Sequence, residues 1–583
     1  MNNYLLITLG HGSSAIYVDN SGDKQNIIGY EQERLSRIKS DSQFPIDAVH
    51  EIMHNVGIAK MKGCKVLISH WFNNFDEENM QFNKYLPKEC FEELCEIASD
   101  IKFTCGNKFS HHDAHAYSAY AFYRYNSEKF VTEKRDSAPI HFIVADGFGN
   151  DEEVLSIYRV DNTHDDLHLI SRTYGYDYSL GLMYQYATSF VGMKENRDEY
   201  KFLGYESHIL EFYDIEDVNK IAKFAGQYIS MFIKNIGANK RTDIKDGIID
   251  FDELRRTKNF WYRTFAKLLD VANAADSSCD KKRAVVAYFI QYIVENVMKE
   301  IIKEFNIRHL CVAGGCFFNV KLNNAILNSI DGHFCVMPLA GDQGAAIGMY
   351  DYECDIDFEF KSLSWGKRRL YNIEKFCDFN RMHVIKVKNH DYSEAIKVIA
   401  NIIAKGEIVD LIHGNMEFGP RALCNTSTIF LPFETLVAKN NKMNKRNEVM
   451  PCAPVCTAGN AVKLFDVSEL LRVIGSDSYM ICTHEYKNRN KVFTYSGVMH
   501  KMPLSLKYTG RPQVICNDGL MSGILQKVQD LTDIRCLVNT SFNAHGNPIV
   551  FDTAEIISNY KYQCEHLDET ESKPYLIVVI DED

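Results

Sequence analysis

Three short apolar stretches of this chain each run directly into a glycine-rich turn, at residues 10–14, 146–150 and 341–348. An apolar stretch that ends in glycine is typical of a buried strand followed by a tight turn, where backbone N–H groups approach a phosphate closely. None of the turns carries the GxxxxGKS/T pattern of a P-loop or the GxGxxG pattern of a Rossmann fold. The sequence therefore predicts phosphate sites in a fold of another class.

Repetition of the same strand-and-turn unit favours a duplicated fold. Residues 5–9 and 15–19 predict two strands joined by the first turn, and residues 309–313 predict a strand that leads through a glycine pair into a helix near Asn319. Residues 284–305 place apolar side chains at helical spacing. These units suit the two-lobed α/β fold that actin, sugar kinases and Hsp70 share.

Length and charge limit the organisation of the chain. Single hydrophobic cores stop growing near roughly 250 to 300 residues, so 583 residues predict more than one domain. An acidic stretch without periodicity begins at residue 351, and we expect one domain at residues 1–355 and a second at residues 365–583. The formal charge of −13 argues against a protein that grips duplex nucleic acid over its whole surface, but it leaves a local basic groove open.

Cysteine usage and hydropathy indicate the compartment. The 17 cysteines include no CxxC pair, which is the pattern of reduced thiols rather than of a disulfide framework. The first residues lack the features of a secretory signal, and no apolar run approaches the roughly eighteen residues of a membrane span. We expect a cytoplasmic protein without a membrane segment. The sequence leaves open whether the chain forms a homodimer.

A histidine pair is the strongest candidate for a metal site. His111 and His115 lie four residues apart, so on a helix both imidazoles point the same way and could hold a divalent metal. The alternative is a surface helix that happens to contain three histidines. His112 lies about 100° further round the helix and is not expected to be a ligand, whereas Asp113 could orient an imidazole. Asp146 follows a predicted strand, where α/β sheets place their ligands.

Seven motifs in the first domain and four in the second resemble, in order, the O-carbamoyltransferases of the nodulation-protein and tobramycin type. They are residues 10–15, 31–39 with 44–45, the His111/His115 pair, 146–149, 199–204, 314–315 with Asn319, and 341–344, then 416–423, 445–446 before 451–454, 509–513, and 539–543 with 546–550. The resemblance implies an ASKHA domain, similar to the subunit that makes threonylcarbamoyl-adenosine in tRNA, followed by an α+β YrdC-like domain.

The resemblance also implies an activity. Such enzymes use ATP and carbamoyl phosphate to form carbamoyl-adenylate, and they pass the carbamoyl group to an acceptor hydroxyl. The acceptor is a sugar or a natural product in the family, and a hydroxymethyl base of modified DNA would be chemically equivalent, although the charge does not imply a nucleic-acid partner. The implied cofactors are a divalent metal, usually Fe(II), and Mg with ATP. The same ligand types would also accept zinc, manganese or nickel.

Individual roles follow from the matched positions. The metal ligands would be His111, His115 and Asp342, with Asp146 as the fourth. His11 would be the general base, since an unperturbed pKa near about 6.5 suits proton acceptance; the alternative is a turn histidine. Lys39 would neutralise a phosphate; the alternative is a solvated charge. The resemblance places the nucleotide against Gly12, Ser13, Gly147, Gly314, Gly315 and Asn319.

The second domain would bind carbamoyl phosphate and ATP through cations and hydrogen-bond donors. The matched residues are Arg421, Lys445, Arg446, Arg511, Ser541 and Asn543. Arginine suits this role because its planar fork binds phosphate in a bidentate way. The alternative for each arginine is an ion pair between the domains.

The second domain also departs from the family pattern, which usually has arginine or a glycine-arginine pattern where this chain has Asn415, Cys424, Thr426, Met450 and His545. Fewer cations favour an alternative, a nucleotide- and metal-binding regulatory protein whose second domain no longer forms adenylate. Retention of the cations listed above favours the enzyme. A third hypothesis, an ASKHA small-molecule kinase, leaves the second domain without a role.

Overall fold

The computed structural model describes residues 3–71, 82, 84–104, 108–130, 138–161, 166–238, 249–376, 381–446, 452–487, 492–502, 507–517 and 519–582. Within these ranges the chain forms two five-stranded sheets, one seven-stranded sheet and one small three-stranded sheet. No helix of the described residues combines the length and the apolar character needed to cross a membrane.

The first five-stranded sheet is built by the N-terminal hairpin and the segments after it. Its strands are β1 (Asn3–Thr8), β2 (Ser14–Asp19), β3 (Asn26–Glu31), β4 (Cys64–Ser69) and β5 (Ala98–Phe103). The order is β3-β2-β1-β4-β5: the first three strands are antiparallel, and β4 and β5 run parallel to β1. The helices are α1 (Gln32–Ser36), α2 (Ile46–Val56), α3 (Ile58–Met61), α4 (Lys88–Ile97) and α5 (His111–Phe130).

The second five-stranded sheet repeats this topology. Its strands are β6 (Ile140–Ala145), β7 (Glu153–Val160), β8 (His168–Tyr174), β9 (His309–Ala313) and β10 (Phe334–Val336). The order is β8-β7-β6-β9-β10, again with three antiparallel strands and then two that run parallel to the first of them. The helices are α6 (Leu180–Phe190), α7 (Glu199–Tyr205), α8 (Ile209–Phe212), α9 (Ile215–Lys234), α10 (Phe251–Val271), α11 (Cys279–Glu304), α12 (Val320–Leu327) and α13 (Ala345–Glu353). This duplication is the two-lobed ASKHA fold, and that prediction is confirmed.

The two lobes exchange a helix across their interface. Helix α5 follows the first sheet in the chain but packs on β6 and β9 of the second sheet, whereas α13 follows the second sheet and packs on β1 and β4 of the first. The two helices touch closely at Gly348, where an added Cβ would lie 1.8 Å from the Ala114 carbonyl oxygen. Glycine is therefore required for this contact. The exchange carries the start of α5 to the carboxyl end of β6.

The C-terminal part is the predicted α+β unit of YrdC-like type. Its strands are β11 (Met382–Lys388), β12 (Val409–His413), β13 (Thr426–Phe430), β14 (Ala453–Thr457), β15 (His484–Glu485), β16 (His500–Lys501), β17 (Tyr508–Gly510), β18 (Gln513–Ile515), β19 (Leu537–Ser541) and β20 (Tyr575–Glu582). The seven-stranded sheet has the order β11-β20-β12-β13-β19-β14-β18, and β15-β17-β16 form the small sheet. The helices are α14 (Ser393–Ala404), α15 (Glu434–Met443), α16 (Ala458–Leu464), α17 (Val467–Leu470), α18 (Val492–Tyr495), α19 (Leu520–Thr532) and α20 (Thr553–Glu565).

Buried polar contacts join the C-terminal part to the first lobe. Arg34, which is 1% exposed, donates to the Gly419 carbonyl oxygen at 2.6 Å and pairs with Glu31 at 3.0 Å. The Gly419 N–H in turn donates to the Glu31 carboxylate at 3.2 Å. Buried and mutually satisfied groups of this kind fix a geometry, because each partner left alone would be costly. The segment that precedes Arg421 is thereby held against the N-terminal lobe.

Candidate metal and anion site

The histidine pair lies in the first turns of α5, and that helix end is built by a capping box. The Ser110 hydroxyl accepts from the Asp113 N–H at 3.1 Å, and the Asp113 carboxylate accepts from the Ser110 N–H at 2.8 Å. The N–H of His111 donates to the Asn150 side chain at 2.7 Å. These groups satisfy N–H donors that have no partner within a helix. The backbone that carries the pair is therefore fixed on both sides.

Four side chains from three elements converge on one point. His111 and His115 come from α5, Asp146 follows β6, and Asp342 lies in the glycine turn before α13. One ligand atom from each lies within 4.8 Å of every other. The two Nε2 atoms are 3.1 Å apart, and their distances to the nearer oxygens of the two carboxylates are 3.3 to 3.6 Å. The four residues named from the sequence as ligands are thus brought together.

The spacing of these atoms suits a bound cation. An ideal tetrahedron with ligand distances of about 2.1 Å has edges of about 3.4 Å, which lies within the observed range. The outer Asp146 oxygen, Oδ1, accepts from the N–H groups of Gly147 at 2.7 Å and Gly315 at 3.3 Å, which leaves Oδ2 facing the imidazoles. Two imidazoles with two carboxylates are a donor set for iron, zinc or manganese. The residues present therefore fit a divalent metal.

Electrostatics at the cluster favour positive charge. Burial acts to lower the pKa of His111, but the carboxylates of Asp342 and Asp146 outweigh it and raise that pKa to about 10. The same balance raises the pKa of His115. Burial acts to raise the pKa of Asp146, yet the imidazoles hold it well below its usual range, and the pKa of Asp342 is lowered in the same way. Each group stabilises the charged form of its neighbours.

A second group of charges lies in the C-terminal part, where Arg421, Arg446 and Arg511 line a common wall. Among the described residues none of these guanidinium groups forms an ion pair with a carboxylate. Burial, together with the nearby charge of Arg421, lowers the pKa of Arg511 to about 9. Burial likewise lowers the pKa of Arg421 to about 10. Buried cations without a counter-ion form a site for an anion.

Arg446 is held in place by the end of β19 and the turn that follows it. Its guanidinium donates to Ser541 Oγ at 3.2 Å and to Asn543 Oδ1 at 3.1 Å, and Ser541 Oγ donates to the same Asn543 oxygen at 2.6 Å. The guanidinium of Arg446 also donates a hydrogen bond to the hydroxyl of Thr540. Ser541 and Asn543 therefore orient the arginine as well as facing the same space. This arrangement keeps the fork of Arg446 in one orientation.

One cavity of about 870 Å³ connects the metal cluster with the arginine wall. Most residues predicted for the site line it: His11, Gly12, Ser13, Lys39, Asp146, Gly147, Gly315, Asn319, Asp342, Arg421, Arg446, Arg511, Ser541 and Asn543. His111 and His115 are buried behind the two aspartates. A cavity of this size holds a nucleotide and a small second molecule.

Besides the two histidines, two predicted residues, Lys445 and Gly314, lie outside the lining of the cavity. Lys445 is exposed in a turn with φ 49°, and its ammonium group lies over the ring of Tyr562 at 5.9 Å. Gly314 packs against β6, because an added Cβ would lie 2.3 Å from the Ala145 carbonyl oxygen. Glycine is thus required at this position by packing within the lobe. Lys39 faces the cavity but pairs with Glu33 at 2.6 Å.

The neighbours of the histidine pair differ in part from expectation. His112 points away from the cluster, with Nδ1 2.8 Å from Ser156 Oγ, as the spacing predicted. Asp113 was expected to orient an imidazole, and this prediction is wrong. Its carboxylate pairs with Arg172 at 2.5 Å and accepts from the Tyr158 hydroxyl at 2.7 Å. Asp113 therefore stabilises the N-terminal end of α5, and other groups orient the imidazole rings.

Sequence reasoning missed several residues of the cavity. Arg197 lines it and donates to the Gly546 carbonyl oxygen at 3.3 Å, which links the second lobe to the turn after β19. Gln343 also lines it and packs on Gly12, where an added Cβ would lie 2.9 Å from its side-chain oxygen. Arg197 lies just before the motif at 199–204, and Gln343 lies within the motif at 341–344. Proximity to these motifs was the only sequence indication of their place.

The altered positions of the second domain are mostly outside the cavity. Cys424 is buried and lies 3.2 Å from the Gln513 side-chain oxygen, and Thr426 donates to Glu417 at 2.7 Å. The Asn415 carbonyl oxygen accepts from the Asn425 amide at 2.7 Å. His545 lines the cavity. Met450 lies outside the described residues.

Comparison with known proteins identifies the class. A family model described as the carbamoyltransferase N-terminus matches residues 5–350, and one described as the carbamoyltransferase C-terminus matches residues 400–569. The first match alone spans more than half of the 583 residues. The chain therefore belongs to the carbamoyltransferase family, and the resemblance drawn from its motifs is confirmed.

Relatives extend over both parts of the chain. An uncharacterized protein of Methanocaldococcus jannaschii is 28% identical over 454 residues, which are 75% of this chain and 79% of that protein. Nodulation protein NolNO of Sinorhizobium fredii is 22% identical over 591 residues, 95% of this chain and 77% of that protein. Nodulation protein U of Rhizobium fredii is 29% identical over 245 residues, 41% and 39% of the two chains.

Proposed function

We propose that this carbamoyltransferase uses ATP and carbamoyl phosphate to carbamoylate a hydroxyl group through a carbamoyl-adenylate. The observation that carries the proposal is that one cavity is lined at one end by the carboxylates of a four-residue metal cluster and at the other by three arginines that have no carboxylate partner among the described residues. Two phosphate-bearing substrates and a reactive intermediate would share one deep cavity. Such a space limits the loss of an intermediate to water.

The reaction balances in two stages. Carbamoyl phosphate and water give carbamate and phosphate; a carbamate oxygen then attacks the α-phosphorus of ATP, and pyrophosphate leaves. The acceptor hydroxyl oxygen next attacks the carbonyl carbon of the carbamoyl-adenylate, AMP leaves, and the hydroxyl proton passes to a base. His11 is the base in this proposal, since it lies in the turn between β1 and β2 and faces the cavity.

The arginine wall would bind the phosphates in the first stage. Arg421, Arg446 and Arg511 are fixed or buried, so binding of an anion costs little ordering entropy and removes their mutual repulsion. Lys39 would contribute a further positive charge at the opposite side of the cavity, in balance with Glu33. These cations stabilise negative charge that develops on the leaving groups.

His111, His115, Asp146 and Asp342 would hold a divalent metal, with Fe(II) as the family's usual ion and Mg accompanying ATP. A metal bound there would supply positive charge near the phosphate of the adenylate. Gly12, Gly147 and Gly315 border the same space. The acceptor in this proposal is a sugar, a hydroxylated natural product or a hydroxymethyl base.

Product analysis tests the proposal. Protein loaded with Fe(II) is incubated with ATP, carbamoyl phosphate and a panel of hydroxylated acceptors that includes hydroxymethylcytosine DNA. We expect pyrophosphate release that requires carbamoyl phosphate, AMP as the nucleotide product and a carbamoylated acceptor. ADP would instead identify a kinase. Nucleotide binding without any pyrophosphate would identify the regulatory protein and refute the proposal.

A further inference from the structure

The ring orientation of His111 and His115 is not explained by the usual contacts of metal-binding histidines. Such a histidine normally donates its second ring N–H to a carboxylate or carbonyl group, which fixes the ring. Here the Nδ1 atoms of both histidines are buried and have no hydrogen-bond partner within the described part of the chain. The direction of the rings must therefore be set mainly by the backbone of α5 and the packing around it.

Two acids, the buried Glu153 and the partly buried Asp113, accept hydrogen bonds from the backbone at that helix end. Glu153, which is 1% exposed, accepts from the His112 N–H at 2.8 Å, and Asp113 accepts from the Ser110 N–H at 2.8 Å. Two carboxylates beside a helix N-terminus are favoured by its dipole. Burying both would be costly without a cation, because two unpaired negative charges would share a low-dielectric space.

That cation is Arg172, on strand β8. Its guanidinium pairs with Asp113 at 2.5 Å and with Glu153 at 3.3 Å, and its Nε donates to Ser156 Oγ at 3.1 Å. Ser156 Oγ in turn lies 2.8 Å from Nδ1 of His112. Arg172 thus forms ion pairs with both acids that accept hydrogen bonds from the first turn of α5. Through Ser156 it is also linked to His112, which lies between the two histidines that face the metal site.

We propose that Arg172 is a positioning residue for the metal cluster: by neutralising Glu153 and Asp113 it locks the first turn of α5, so that His111 and His115 face Asp146 and Asp342. The inference rests on the metal site of the proposed function. In the described part of the chain, the ion pairs of Arg172 are with Asp113 and Glu153 rather than with the four ligand residues, and Arg172 does not line the cavity. Its effect would therefore reach the metal through the helix backbone alone.

Metal binding by the full-length protein tests this role. Protein stripped with a chelator is titrated with Co²⁺, and both the affinity and the visible absorption of the bound ion are recorded. We expect Arg172→Met to lower the affinity for Co²⁺ by about 10-fold, the lower end of the loss that follows removal of a direct contact to a metal ligand, because Arg172 acts one contact further out, and to change the absorption spectrum. Arg159→Met is the matched control, since Arg159 on β7 pairs with Asp161 at the surface.

A second variant separates positioning from folding. Glu153→Gln keeps a side-chain oxygen for the His112 N–H and removes one buried charge, so the double variant with Arg172→Met should regain part of the lost Co²⁺ affinity. Thermal unfolding is measured on every variant. Arg172→Met that unfolds at a lower temperature but binds Co²⁺ with the wild-type affinity and spectrum would overturn the proposal. So would wild-type protein that binds no Co²⁺, whereas carbamoyl-phosphate-dependent pyrophosphate release reports on the proposed function separately.

Discussion

Replacement of Arg511 by methionine should weaken substrate binding and stabilise the ligand-free protein at the same time. Arg511 is partly buried, and its one described hydrogen bond runs to the Met480 carbonyl oxygen at 3.5 Å. Burial and the charge of Arg421 lower its pKa to about 9, which means that the folded protein disfavours this charge. Methionine fills a similar volume and carries no charge, so it removes that cost and also the contact with an anion.

The two effects have opposite signs and measurable sizes. A hydrogen bond to a charged group contributes about 1.5 to 3 kcal/mol, so the affinity for carbamoyl phosphate or ATP should fall by roughly 10- to 150-fold at about 1.4 kcal/mol per factor of ten. Replacing a poorly compensated buried charge by an apolar side chain stabilises by about 1 to 2 kcal/mol. For a domain of this size each kcal/mol raises the unfolding temperature by about 2 to 4 °C.

Calorimetric titration of each substrate and thermal unfolding without ligand measure the two effects. Arg381→Met serves as the control, because Arg381 pairs with Glu407 at 3.2 Å and lies outside the cavity. Its substrate affinity should be unchanged and its stability unchanged or slightly lower. A variant at Arg511 that unfolds at a lower temperature and binds both substrates like the wild type would refute the reasoning, since the charge would then be satisfied within the protein.

Two further substitutions address the metal cluster and the core of the second domain. His115→Ala removes one of the four clustered groups and should abolish carbamoyl transfer and lower metal content, while pyrophosphate release persists; equal loss of both half-reactions would contradict the division of labour between the two ends of the cavity. Burial raises the pKa of Asp410 to about 7, above its usual 3.8, so its stabilising contribution is complete below about pH 4 and is lost as the pH rises through about 7. Asp410→Asn should therefore match the wild type in urea unfolding near pH 4 and exceed its stability near pH 8, and identical pH profiles would show that Asp410 stays ionised.

Local sequence patterns predicted the elements of the N-terminal lobes well. Strands β6 and β9 are short apolar runs that are buried along their whole length, and the turns after them contain glycine for steric reasons. Asp146 could be placed at a strand end because parallel strands share that edge. The capping box of Ser110 and Asp113 was also readable from the sequence and would have fixed the start of α5.

What the sequence could not supply was the exchange of helices between the lobes. Helix α5 follows the first sheet yet packs on the second, so the meeting of His111 with Asp146 depends on contacts between segments far apart in the chain. The role of Asp113 could not be predicted from the sequence for the same reason: its partner, Arg172, lies far away in the chain on β8. Likewise, only the folded protein shows that the three arginines of the cavity wall have no carboxylate partner among the described residues.

The raised pKa values of the histidine pair show what the cluster accepts. Two carboxylates make the site negative when both imidazoles are neutral, so it will take up positive charge in some form. Protonation of both imidazoles is an unfavourable way to supply this charge, because the two Nε2 atoms lie 3.1 Å apart and their N–H groups would point at each other. One divalent cation would bind all four ligand atoms at once and would supply the same charge as two protons. Protons and metal therefore compete for this site, and metal binding should release protons and weaken as the pH falls.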